Sequence, residues 1–123
     1  MEGVALSLLD CKRAIDRIGI PYGSTATVIG GGAKGKLWRQ MTADALGLTL
    51  NTTESSDSSL GSAMLAGIAA GVFADPADAV RRCIRVTGCT TPQPAQTAQY
   101  DALYEKYKRI HDALAPVYHE FSV

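Results

Sequence analysis

A run of glycines followed by lysines is the part of the sequence best suited to chemistry. The segment VIGGGAKGKLW, residues 28–38, places three consecutive glycines after two β-branched residues. Glycine lacks Cβ, so its backbone can adopt positive φ and a ligand can lie directly against the peptide plane. A helix after this glycine turn (residues 30–35) would add free N–H groups and a positive dipole end, and Lys34 and Lys36 would add charge. Phosphate is the natural ligand of such a turn; the alternative is a tight strand-to-helix corner without a ligand.

The same glycines also match a dinucleotide-binding fingerprint, because Gly30, Gly32 and Gly35 spell G-x-G-x-x-G. That fingerprint requires an acid about 20 residues on, at the ribose, and several further βα units. The acid would be Glu54, which lies beyond the second predicted strand in a Ser/Thr-rich loop, and residues 58–123 predict helices instead. Rossmann-type binding is therefore the weaker alternative. A P-loop is excluded, because the sequence contains no G-x-x-x-x-G-K-[ST].

Helices and short strands must position the turn. Apolar residues at helical spacing predict helices over residues 2–18 and from about Lys36 to Leu46, and the segments STATVI (residues 24–29) and LTLN (residues 48–51) predict two short strands. Three further helices are predicted: one with Asp57 or Ser58 at its start and an end near Phe73, one with Asp75 as N-cap and Pro76 as first residue, and one that begins near Ala98. Residues 87–97 are predicted to be a connector, because Pro92 and Pro94 disfavour helix.

Two of these helices show a candidate core face. On the second helix the inner residues are predicted to be Leu37, Trp38, Met41 and Ala45. On the last helix a single stripe comprises Tyr100, Leu103, Tyr104, Tyr107, Ile110 and Leu114. Such stripes are more typical of packing than of base stacking, because no basic residues accompany the aromatic ones.

Composition narrows the class of protein. The 123 residues match one domain in size, and 46% hydrophobic with 20% charged residues predicts a globular core. Twelve basic and twelve acidic side chains cancel, which argues against nucleic acid or an anionic membrane as a partner. The longest apolar run, residues 60–74, is shorter than the roughly 18 residues of a spanning helix. Three cysteines without C-x-x-C spacing and without a leader indicate buried or half-buried thiols in the cytoplasm and no zinc site.

Two short strands are too few for an independent sheet. They are therefore expected to belong to a larger mixed sheet with helices packed on it. The fold class is predicted to be α/β, and the chain is expected to be the tail of a longer protein.

The blocks VIGGGAKGKLWRQMTADALGLTL and ESSDSSLGSAMLAGIAAGVF resemble the C-terminal domain of the FGGY carbohydrate kinases, especially the xylulokinase-like branch. The leading helix EGVALSLLDCKRAI and the final YDALYEKYKRIHDALAPVYHEF extend the resemblance over nearly the whole chain. It implies short strands with several packed helices in an actin-like, ribonuclease-H-like ATPase domain. Residues 1–123 would be a C-terminal segment of the nucleotide-side domain, without the N-terminal sugar-binding domain.

The resemblance also implies a reaction and a set of contacts. Such kinases transfer the γ-phosphate of ATP, with Mg²⁺, to a hydroxyl of a small sugar such as xylulose or of a polyol. Gly31 and Gly32 match the glycines against which the nucleotide lies. Gly35 stands where the family often has Ser or Asn, which removes one side-chain hydrogen bond, and Lys36 is placed to compensate. The catalytic Asp of the family belongs to the other domain, so no catalytic residue is assigned here and the segment alone is expected to be inactive.

Other candidates have plainer interpretations. Asp44 is expected to bond locally or to a neighbouring backbone rather than to line a cleft, and Glu54 is expected to order its loop. Gly61 would allow either close approach of a helix to the nucleotide loop or tight helix–sheet packing. The alternative functions are a non-catalytic nucleotide- or anion-binding module and a structural domain that associates, with itself or a partner, through an unpaired sheet edge.

Overall fold

The structure is a computed structural model that describes residues 1–55 and 57–120. Helices and strands alternate in its first half, and helices dominate the second. The elements in chain order are α1 (Glu2–Arg17), β1 (Thr25–Val28), a 3₁₀ turn (Gly31–Lys34), α2 (Lys36–Leu46), β2 (Thr49–Thr53), α3 (Ser58–Ala69), α4 (Pro76–Cys83), β3 (Val86–Thr90) and α5 (Pro94–Glu120).

The sheet is mixed, as predicted, with the strand order β1-β2-β3. β1 and β2 run parallel, in a register that pairs Val28 with Thr52, and β3 is antiparallel to β2. Leu50, in the central strand, is fully buried. Because β1 and β2 are parallel, their carboxyl ends lie at the same edge of the sheet, where ligands bind in open α/β sheets. The glycine turn and the loop that leads to α3 therefore start side by side.

The core lies where α1, α2 and α5 meet. It is built from alanine, leucine and tyrosine side chains that are at most 8% exposed: Ala5, Leu6, Leu9, Ala45, Tyr100 and Tyr104. Burial of Tyr100 and Tyr104 confirms that the tyrosine stripe packs against other helices. This three-helix core fixes the orientation of α2, and so of the turn that precedes it.

Three predicted helix termini, the end of α2 and the starts of α3 and α4, are confirmed by their caps. Gly47 has a φ of 64° and its N–H donates to the carbonyl of Ala43, which ends α2. The carboxylate of Asp57 accepts a hydrogen bond of 3.0 Å from the first turn of α3. That of Asp75 accepts one of 2.7 Å at the start of α4, whose first residue is Pro76. The N-termini of α3 and α4 are thus specified locally by sequence.

The connector predicted over residues 87–97 is wrong at both ends. Its first half forms part of β3, and α5 begins at Pro94 rather than near Ala98. β3 lacks an alternating pattern because four of its five residues are exposed, so only its pairing with β2 defines it. Pro94 lies in the first turn of α5, where the missing N–H costs no hydrogen bond.

The third helix is shorter than predicted. It ends at Ala69 rather than near Phe73, because the chain leaves the helix through Gly71, which has a φ of 74°. The apolar residues that follow belong to the corner between α3 and α4.

Several expected core positions are exposed. Leu37 is 68% exposed, whereas Ala45 on the same helix is buried, as predicted. Ile110 and Leu114 are also exposed, at 59% and 40%, because they lie beyond the stretch of α5 that α1 and α2 cover. The described chain therefore has exposed apolar surface in two places: beside the glycine turn, at Leu37, and toward the end of α5, at Ile110 and Leu114.

The cysteines differ in part from expectation. Cys83 is half-buried as predicted, but Cys11 and Cys89 are exposed, because they lie on the outer side of α1 and on the exposed strand β3. All three are free thiols. None of the helices in the described part of the chain has the length and hydropathy that a bilayer crossing requires.

A buried tyrosine makes the free energy of unfolding depend on pH in the alkaline range. Tyr104 donates a 2.5 Å hydrogen bond to the carboxylate of Asp10, and this bond, with burial, raises the pKa of Tyr104 above its ordinary value. Its stabilising effect is complete below the unfolded-state pKa of about 10 and declines as pH rises toward and through the folded-state pKa. Tyr104→Phe should lower the free energy of unfolding by about 1–2 kcal/mol at pH 7 and flatten its fall above pH 10. Urea unfolding at pH 7 to 11 measures both effects; parallel curves for the two proteins would contradict them.

Candidate functional site

The glycine turn is held in a conformation that only glycine adopts easily. Gly30 has a φ of 82° and a ψ of −173°, a region essentially restricted to glycine. Two hydrogen bonds then close the turn: Ala33 donates to the carbonyl of Gly30 at 3.1 Å, and Gly35 donates to that of Gly32 at 3.3 Å. The sharp reversal at Gly30 directs the next residues along the edge of the sheet.

The turn forms one wall of an open cleft of about 480 Å³, here called the turn cleft. The opposite wall is the start of α3. The residues that line it are Ile29, Gly30, Gly31, Lys34, Asp57 and Ser58. Lys34 brings the positive charge, and Ser58 brings the positive dipole end of a helix of 12 residues. This juxtaposition of glycine backbone, ammonium group and helix N-terminus suits a phosphate-bearing ligand.

From the sequence, the helix dipole at the glycine turn is expected to come from α2. In the structure the 3₁₀ turn, which begins at Gly31, lies between Gly30 and α2, and the helix whose N-terminus lines the cleft is α3. Asp57 and Ser58 thus line the candidate site, whereas the sequence predicts only a capping role for them. The parallel arrangement of β1 and β2, which places both following loops at one edge, is the signal that unites them.

The predicted contact residues do not all face the turn cleft. Gly31 lines it, but Gly32 faces the other way, toward the indole of Trp38. A Cβ on Gly35 would lie 3.5 Å from the Cβ of Trp38, an ordinary contact, and Lys36 is the exposed first residue of α2. Lys34 is the lysine of the turn that lines the cleft.

A second, more apolar groove of about 310 Å³ continues from the turn cleft between the sheet and α3–α4. Ile29, Asp57 and Ser58 line both spaces. A Cβ on Gly61, which lines the groove, would meet open space, so tight helix–sheet packing does not explain this glycine. The charged turn cleft therefore adjoins a groove whose walls are mainly apolar.

Asp44 has the structural role that was expected for it. Its side chain is only 5% exposed, and one carboxylate oxygen accepts hydrogen bonds from Gln40 Nε2 at 2.9 Å and from the backbone N–H of Gln93 at 2.7 Å. Asp44 therefore joins α2 to the start of α5. Glu54 is exposed, and its backbone N–H donates to the carbonyl of Arg85 at 3.0 Å, which ties its loop to β3.

Metal-ligating residues do not cluster in the described parts of the chain. Across residues 1–55 and 57–120, no three His, Cys, Asp or Glu side chains are close enough to hold an ion together. Asp57 is the carboxylate that lines the turn cleft. A metal at this site would need ligands from phosphate groups or from residues outside the described chain.

A mixed sheet whose two parallel strands carry the glycine turn and the loop to α3 at their carboxyl ends, with helices packed on it, defines an α/β domain. The model of the FGGY family of carbohydrate kinases, C-terminal domain, matches residues 1–70, more than half of the sequence. The chain belongs to this family.

Individual proteins support the same assignment. A protein named autoinducer-2 kinase, from Escherichia coli K12, is 36% identical over 98 residues, which are 78% of this chain and 18% of the relative. The solved structures of a xylulose kinase and a gluconate kinase from Lactobacillus acidophilus superpose with TM-scores of 0.83 and 0.84 at 26% identity. Each superposition covers 98% of this chain and 24% of the solved chain. The chain thus spans about a fifth to a quarter of these proteins, and its α/β, actin-like fold class is confirmed.

Proposed function

We propose that this chain is the nucleotide-side, C-terminal segment of an ATP-dependent carbohydrate kinase. The complete protein would transfer the γ-phosphate of ATP to a hydroxyl of a small sugar, a pentulose such as xylulose, or of a polyol. The observation that carries the proposal is the turn cleft, where Gly31, Lys34 and the start of α3 converge. Family membership and the relatives named as sugar kinases support it.

The residues of the cleft fit a nucleoside triphosphate. Lys34 lies on one wall and Asp57 on the other, so the charge changes sign across the cleft. A polyphosphate would lie on the Lys34 side, against the backbone of Gly31, where like charge does not oppose it. Hydroxyl groups, which donate hydrogen bonds to carboxylates, would lie on the Asp57 side. The adjacent apolar groove would receive a flat aromatic ring.

The chemical step would depend on groups outside this segment. Phosphoryl transfer to an alcohol needs a carboxylate that orients or deprotonates the acceptor. Asp44 is occupied by two hydrogen bonds, and Asp57 caps α3. When bound, Mg²⁺ supplies charge neutralisation across the phosphates. We therefore assign to this chain the binding and orientation of the nucleotide, and to the rest of the protein the sugar site and the base.

Substitution of the two lysines tests the proposal. Lys34→Ala should weaken ATP binding about tenfold, because a cation that contacts phosphate directly is removed. Lys36→Ala, a matched control that removes the same charge from a neighbouring exposed residue, should weaken it by less than about threefold, the size of a screened long-range effect. Isothermal titration calorimetry with ATP and Mg²⁺ measures both.

Three results would count against the proposal. Absence of saturable ATP binding by the unsubstituted protein would contradict nucleotide binding as such. Equal losses for the two lysine variants would indicate a diffuse surface charge effect rather than a built cleft. A larger loss for Lys36→Ala would place the phosphates at the start of α2, on the other side of the turn.

A further inference from the structure

The side of the glycine turn that faces away from the cleft is closed by the first turn of α2. A Cβ built on Gly32 would lie 2.8 Å from Trp38 Nε1 and 3.0 Å from Trp38 Cδ1. Real Cβ atoms essentially never approach other heavy atoms below 3.0 Å, so the indole occupies the volume in which a side chain at position 32 would stand. The absence of a side chain at Gly32 is thus explained by Trp38 without any ligand.

Arg39, the next residue of α2, holds the same turn by a polar contact. Its guanidinium Nη1 donates a hydrogen bond to the carbonyl oxygen of Ala33, in the middle of the 3₁₀ turn. The side chains of Trp38 and Arg39 are both half-buried, and both line a small groove of about 160 Å³ beneath the turn. One side chain packs against the turn and the other bonds to it, and both come from a helix that is fixed in the core.

We propose that Trp38 and Arg39 are positioning residues that fix the conformation of the glycine turn from below, and that Gly32 is required by Trp38 rather than by the ligand. The part of this inference that concerns ATP rests on the proposed function. The part that concerns the order of the turn does not. In this arrangement the adjacent glycines have different partners, since Gly31 lines the cleft and Gly32 receives the indole.

A double-mutant cycle separates the two explanations of Gly32. In the unsubstituted background, Gly32→Ala should weaken ATP binding about tenfold, because the new methyl group displaces the indole and the turn with it. In a Trp38→Ala background the same substitution should weaken binding by less than about twofold, because the obstructing indole is gone. If ATP lay against Gly32, the methyl group would cost the same in both backgrounds, and the proposal would be overturned.

We call the two contacts that Trp38 and Arg39 make with the glycine turn the clamp. Measurements without ATP test the clamp independently of the proposed function. Trp38 is the single tryptophan of this sequence. Gly32→Ala should shift its emission maximum and speed amide exchange over residues 30–35 at least about tenfold. Gly31→Ala should change neither, because a Cβ there meets nothing within 4 Å. The emission and exchange measurements both use variants that retain Trp38. They therefore test whether Trp38 fixes the turn even if the Trp38→Ala protein does not fold.

Arg39 has its own test by conservative replacement. Arg39→Ala should speed exchange over residues 30–35, and Arg39→Lys should restore part of the protection, because lysine can still donate to the carbonyl of Ala33. A protein in which Gly32→Ala and Gly31→Ala behave alike, in emission and in exchange, would refute the clamp. Failure of the unsubstituted protein to bind ATP would instead refute the proposed function and leave these ATP-free results to decide the clamp alone.

Discussion

Gly30→Ala should lower the free energy of unfolding by about 1–3 kcal/mol and weaken ATP binding at least about tenfold. The reason is conformational and not steric, because a Cβ at Gly30 would meet nothing within 4 Å. With a φ of 82° and a ψ of −173°, Gly30 occupies a region that L side chains rarely adopt, so alanine must either accept the strain or reopen the turn. Urea unfolding gives the first quantity and calorimetric titration with ATP the second.

Gly31→Ala is the matched control for this prediction. It adds the same methyl group one residue later, where φ is not positive and the space inside the chain is open. The free energy of unfolding should therefore change by less than about 0.5 kcal/mol. ATP binding should still weaken, since the methyl group stands on the wall of the turn cleft. Unchanged stability of Gly30→Ala would mean that the turn has another conformation in solution.

The elements around the turn are predictable from sequence because their signals are local. Apolar spacing defines α1 and α2, and the Gly47, Asp57 and Asp75 caps fix three helix termini within a residue or two. β1 is found because β-branched residues concentrate in it and the glycine turn follows it, and β2 is found as the short, partly apolar stretch after Gly47, which ends α2. Each of these signals is contained in a window shorter than a helix, so no knowledge of the fold is needed to interpret it.

β3 could not be predicted in this way, because its evidence lies elsewhere in the chain. Its residues are mostly exposed, and it exists as a strand through hydrogen bonds to β2, some 35 residues earlier in sequence. Leu37 and Ile110 are predicted to be core residues but are exposed, for a related reason. Periodicity identifies an apolar face but not the length over which neighbouring helices cover it.

The candidate site is likewise predictable only in part: its residue types can be interpreted from the sequence, and the directions of its side chains cannot. The residue types of the glycine turn predict an anion site, but they do not predict which of its residues face outward. Lys34 and Lys36 are the same residue type two positions apart, but of the two only Lys34 lines the turn cleft. Likewise the glycine triplet has three separate physical causes: an unusual backbone conformation at Gly30, an open wall at Gly31 and the Trp38 indole at Gly32. Side-chain direction, which sequence spacing does not supply, decides between them.

The remaining large effect is expected at Asp44, away from the cleft. Its buried carboxylate is the shared acceptor for Gln40 and for the backbone N–H of Gln93, which immediately precedes α5. Hydrogen bonds to charged groups contribute about 1.5–3 kcal/mol each, and a buried donor left without a partner adds its desolvation cost. Asp44→Ala should therefore lower the free energy of unfolding by about 2–4 kcal/mol, measured by urea unfolding at pH 7.

Asp44→Asn distinguishes this structural role from a chemical one. The amide oxygen of asparagine can still accept from Gln93, so this variant should lose less than half of the stability that Asp44→Ala loses. Gln40→Ala, which removes the hydrogen bonds that Gln40 Nε2 donates to Asp44 and to the carbonyl of Thr91, should lose about 2 kcal/mol. Since α5 supplies Tyr100 and Tyr104 to the core, loosening its start at Gln93 should affect global unfolding rather than a local loop. Asp44→Asn could instead leave the stability unchanged and abolish ATP-dependent phosphorylation by the complete kinase. This result would show that the carboxylate acts in chemistry, and the structural assignment would then be wrong.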